Sequence, residues 1–131
     1  MKKYFLLVLA FSLLIGCSDN DEPSLQSKLI GEWNWTATSG GIGGWLYTPE
    51  STGEEQSIII TDNSIKKYVD GMLVNELNYT IDQVESSNGE YIDLIIYENG
   101  FIDQRIVLND NDLILYDYNI SDGFQSEYQR N

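Results

Sequence analysis

From residue 31 onward the sequence predicts an all-β fold, a single eight-stranded antiparallel up-and-down β-barrel. Three observations carry this expectation. Runs rich in Ile, Val, Tyr and Thr, which fit a pleated and half-buried surface, follow one another to the C-terminus. Short clusters of Asn, Asp and Gly cut these runs at close intervals. Nearly every connection is too short for a crossover helix, so each strand should lie antiparallel to the one before it. Eight is a strand number that closes into a small filled barrel. Closure also removes the sheet edges, where Ile58-Ile59-Ile60 and Leu94-Ile95-Ile96 would invite aggregation.

The predicted strands span residues 31–38, 56–62, 64–70, 72–82, 90–97, 101–108, 112–118 and 123–130. Asp70-Gly71 and Asn99-Gly100 suit two-residue type I′ hairpins, in which both central residues need φ > 0. Asp62-Asn63, Ser87-Asn88-Gly89, Asn109-Asp110-Asn111 and Asp122-Gly123 suit slightly longer turns. A short helical segment, Leu25 to Ile30, should plug the lower end. Side-chain alternation proposes an interior built from Trp33, Trp35, Ile58, Ile60, Leu77, Tyr79 and Ile81 in the first half. The second half should add Ile92, Leu94, Ile96, Ile102, Ile106, Leu113, Leu115, Phe124 and Tyr128. In residues 58–60 and 91–97 the opposite parity also carries Ile59, Tyr91, Ile95 and Tyr97, which would form an exposed apolar strip or a partner surface on the outer wall. With so many bulky inward residues the interior should be mostly full, and any ligand site should be shallow and at the mouth.

The first seventeen residues predict where the chain resides. Lys2 and Lys3 form a basic start, Tyr4 to Ile15 an apolar run too short to span a bilayer, and Gly16 a small residue beside a cleavage point. Leu14-Ile15-Gly16-Cys17 resembles the lipobox of bacterial lipoproteins. That resemblance implies removal of residues 1–16 and lipid attachment at Cys17, the only cysteine. Residues 17–27 would then be a lipidated acidic tether and 28–131 the barrel domain. Residues 18–24 hold no apolar side chain that could repay the entropy of ordering. The acidic cluster after the cysteine is similar to export signals of outer-membrane lipoproteins, which implies an outer-membrane location with the cell surface as one possible face.

Composition excludes whole classes of chemistry. The chain carries 7 basic and 21 acidic residues, a net charge of −14. Residues 17–131 alone keep Lys28, Lys66, Lys67, Arg105 and Arg130 against all 21 carboxylates, a net charge of −16. Such a surface repels nucleic acid and anionic headgroups. There is no histidine, which removes the Ser-His and Cys-His nucleophile systems and the commonest zinc ligand. Asp110-Asn111-Asp112 falls short of a calcium loop, since it lacks both the glycine and the bidentate Glu at twelve. Paired carboxylates such as Glu54-Glu55 have the residue types of a glycosidase but nothing that singles them out. Asp93, Asp103 and Asp117 are expected on the solvent side of their strands. The expectation is therefore a protein that is not an enzyme and needs no cofactor or metal.

Gly31-Glu32-Trp33 opening the first strand, together with Arg130 closing the last, is similar to the end signatures of the lipocalin and calycin barrels. In a closed meander these ends meet, so the Arg130 guanidinium should stack on Trp33 while Gly31 leaves it room. Ser39-Gly40-Gly41-Ile42-Gly43-Gly44, followed by Thr48-Pro49 and Thr52-Gly53, looks like the first loop of small lipocalin-like domains of bacterial surface lipoproteins. The resemblance implies a small apolar or aromatic ligand at the barrel mouth, with Trp35, Trp45 and Tyr47 as the candidate binding residues. A surface protein that binds a protein or glycan partner through exposed aromatics is the alternative.

Overall fold

A computed structural model describes residues 21–131. The proposed signal peptide and Cys17 lie outside the described residues. Helix α1 (Leu25–Leu29) begins at Ser24, whose side-chain oxygen accepts the amide of Ser27 at 3.2 Å. Its last residue, Leu29, is fully buried, and the chain turns there into the sheet.

Nine strands follow: β1 (Gly31–Gly40), β2 (Trp45–Tyr47), β3 (Gln56–Ile60), β4 (Ser64–Val69), β5 (Met72–Glu85), β6 (Tyr91–Tyr97), β7 (Gln104–Asn109), β8 (Asp112–Asp117) and β9 (Phe124–Arg130). Strands β3 to β9 each pair antiparallel with the next, β1 pairs with β3, and β9 returns to pair with β1. The result is a closed eight-stranded antiparallel barrel, as the turn spacing predicts. Strand β2 is an addition to that count. It pairs only with the last part of β1, from Thr38↔Tyr47 to Gly40↔Trp45. The glycine-rich segment is therefore the turn of a small hairpin. Between β2 and β3, a four-residue helix α2 (Pro49–Thr52) is held by a reciprocal Thr48/Ser51 cap and ended by Gly53 at φ 72°.

Turn chemistry explains one hairpin fully and another in part. Asp70 and Gly71 both adopt positive φ, 49° and 78°, as a type I′ turn requires. At Asn99-Gly100 only Gly100 does so, and β7 starts three residues later than expected, at Gln104. Phe101 and Ile102 consequently sit on an exposed loop instead of inside a strand.

The main core unites Leu29, Trp33, Ile58, Ile60, Ile65, Tyr79, Ile95, Ile106, Leu113 and Leu115. Most of this set follows the predicted alternation. Strand β6 does not: Ile95 lies opposite Ile81 and Tyr97 opposite Tyr79, so the odd residues face inward. Ile92 and Leu94, expected inside, are buried at 9% and 2% exposure but lie outside that main cluster, and Ile96 is partly exposed, because a run apolar on both faces carries no periodic signal. Phe124, also expected inside, is exposed.

Candidate functional site

The two ends of the barrel differ in chemistry. At one end α1, the β3–β4 turn and Arg130 close the core. Arg130 sits with its guanidinium carbon 4.1 Å from the centre of the Trp33 ring. It donates to the carbonyls of Ile30 at 3.2 Å and of Lys28. Trp33 donates its indole N–H to the Leu29 carbonyl at 2.8 Å. A side chain at Gly31 would meet the Arg130 guanidinium at 2.9 Å, and the φ of 141° there disfavours one in any case.

At the other end the barrel is hollow. A cavity of about 300 Å³ opens between β3–β4–β5 on one wall and β6–β7–β8–β9 on the other. Ile58, Ile65, Leu77 and Leu115 supply its apolar surface, and Phe101 and Ile102 belong to its lining from the β6–β7 loop. Its polar side chains are Lys67, Asn75, Gln104, Asp117 and Ser126, with Tyr97 and Tyr128 beside them. The expectation of a filled interior did not include this space. Most of its polar residues continue an inward parity already set by core residues. Lys67 follows Ile65, Gln104 precedes Ile106, and Asp117 follows Leu115. Asp117, expected on the solvent side, therefore faces the cavity. A strand whose inward positions turn polar at one end is the sequence signal that would have located this site.

Hydrogen bonds organise one wall. Tyr97 donates its hydroxyl to Gln104 Oε1 at 2.8 Å, and Gln104 donates Nε2 to Asp117 Oδ1 at 3.1 Å. Asp117 Oδ2 accepts the backbone amide of Phe124 at 2.9 Å. The chain of contacts ties β6, β7, β8 and the start of β9 together at the mouth. On the neighbouring strand Thr38 accepts the Trp35 indole N–H at 2.8 Å and lies 2.9 Å from the Ser126 hydroxyl.

Burial raises the two tyrosine hydroxyls. Tyr128 is pushed up to about 12, its hydrogen bond with Ser126 opposing the desolvation. Tyr97 is raised further by burial, with the negative charges of ionised Tyr128, Asp117 and Asp103 adding to it. A folded state that holds these protons more tightly than the unfolded chain keeps their full contribution below pH 10. That contribution is lost as pH rises from 10 toward 12. The melting temperature is therefore expected to fall across this interval, and Tyr128→Phe should flatten the decline. Thermal melts by circular dichroism every half pH unit read this directly.

The candidate residues named from sequence do not form one site. Trp35 is buried at 5% exposure, while Trp45 and Tyr47 stand out on β2. None of the three belongs to the cavity lining. Trp45 instead borders a surface depression with Ile42, Ile120 and Phe124. Among the described residues there is no cluster of three or more His, Cys, Asp or Glu side chains placed to hold a metal. Comparison with known protein families and with curated proteins finds no match to this chain.

Proposed function

We propose that this chain is a lipid-anchored cell-envelope lipoprotein of the outer membrane whose lipocalin-like barrel carries a small ligand in its open end and performs no catalysis. The supporting observation is the cavity. It lies at the lower edge of the ~300–1,000 Å³ range of small-molecule sites and joins an apolar floor to a few converging polar groups, the usual make-up of such sites. The ligand is small and mainly apolar or aromatic. Trp45 and Tyr47 act at the rim rather than as the floor of the site.

Indole titrated into the isotopically labelled chain is expected to give saturable NMR shifts at Leu77, Leu115 and Ser126. Leu115→Trp, which fills the floor, should abolish them. Absence of saturable shifts at millimolar indole, p-cresol and phenylacetate would overturn the reading.

The second reading, a surface protein docking on a protein or glycan, is favoured by a different feature. Exposed apolar residues gather around the open end, among them Ile42, Trp45, Leu46, Met72, Leu73 and Phe101. Substitutions outside the ligand site such as Met72→Ala would then weaken partner binding while leaving the indole titration unchanged.

A further inference from the structure

The charged groups facing the cavity are unequal, and the inequality selects a ligand. Resting on the ligand-carrying reading above, we infer that the cavity takes a small carboxylate with a compact apolar or aromatic body, its charged end held by Lys67 and Asn75. These two residues are direct partners across β4 and β5. On the opposite wall each carboxylate oxygen of Asp117 already accepts a hydrogen bond, one from Gln104 and one from the Phe124 amide. Lys67 has no equivalent. Among the described residues its ammonium makes neither a hydrogen bond nor an ion pair, whereas the adjacent Lys66 pairs with Glu76 at 3.7 Å.

An ammonium offers three donors and no acceptor, so a carboxylate entering the cavity would replace the water around it with a charge-assisted contact. The neighbouring Asn75 amide also lacks a partner among the described residues and adds a neutral donor of suitable kind. The net charge of −14 favours cations at long range. At physiological salt that field decays over about 8 Å, so the groups lining the cavity decide the preference. Of these, the carboxylate is engaged and the ammonium is free. The apolar floor below Lys67 then receives the body of the ligand, and a cavity of about 300 Å³ holds a compact one.

Three probes of one shape separate the possibilities: phenylacetate, phenylacetamide and 2-phenylethylamine, titrated by NMR into the full chain held in lipid nanodiscs, with empty nanodiscs as blank. Phenylacetate is expected to bind at least tenfold tighter than either of the others. Lys67→Met should erase that preference while leaving phenylacetamide affinity within twofold, and Lys67→Arg should retain it. If Lys67→Met fails to fold, Lys67→Gln serves the same test. Equal affinities, a preference for the amine, or a carboxylate preference that survives loss of Lys67 would each overturn the inference and leave the cavity reading intact. No saturable binding of any of the three while indole still binds would overturn the inference alone, and loss of indole and p-cresol binding as well would overturn both.

Discussion

Trp33→Ala is expected to cost ~3–5 kcal/mol, the range for truncating a large buried aromatic. Trp33 has no solvent exposure, so its removal leaves a cavity in the centre of the core. It also strips the Leu29 carbonyl of its 2.8 Å partner, and a buried acceptor left unmatched carries its own penalty of ~1–3 kcal/mol. Against a total stability of about 5–15 kcal/mol, the variant should melt roughly 15 °C lower or lose its cooperative transition. Arg130→Ala should cost less, since stacking of a cation on an indole contributes ~0.5–2 kcal/mol. In a double-mutant cycle with Trp33→Phe the two sites should couple by ~0.5 kcal/mol or more, as residues in contact do. Additive effects would separate the arginine from the tryptophan energetically and make the 4.1 Å contact incidental.

Cys17→Ala is expected to release the protein from membranes altogether. A lipoprotein anchor buries three acyl chains at ~0.8 kcal/mol per CH₂, far beyond what a single chain provides. Among the described residues no helix is long and apolar enough to cross a bilayer. Fractionation followed by a carbonate wash is the measurement. A variant that still pellets with membranes after the wash would refute the lipobox reading.

The barrel was legible in the sequence because turn residues and β-branched runs act locally and agree with one another. Asp70-Gly71 is the clearest instance, with both residues in the conformation the dipeptide favours. Asn99-Gly100 carried the same signal and yielded to tertiary packing. Phe101 stands edge-on to Tyr97 with ring centres 6.5 Å apart, and Tyr118 donates its amide to the Asp103 carbonyl at 2.8 Å, so the loop closes through β8 rather than as a two-residue hairpin. The face of β6 was unreadable for a different reason: from Tyr91 to Tyr97 every residue but Asp93 is apolar or aromatic, and only the pairing Ile81↔Ile95 decides which side is inside. The cavity left a weaker trace in the sequence: bulky apolar residues mark where a core is full, whereas Lys67, Gln104 and Asp117, on the inward parity of their strands, mark where it stops.

The contact between Arg130 and Ile30 joins residues 100 positions apart, and the whole β1–β9 seam is of this kind. Closing so long a loop costs more entropy than a local hairpin, so folding is expected to be slow, in the millisecond-to-second range of β-topologies rich in distant pairings. A barrel left open at this seam would expose one side of β1, beside the apolar run Ile58-Ile59-Ile60. Substitutions along the seam are therefore expected to lower the yield of folded protein as well as its stability.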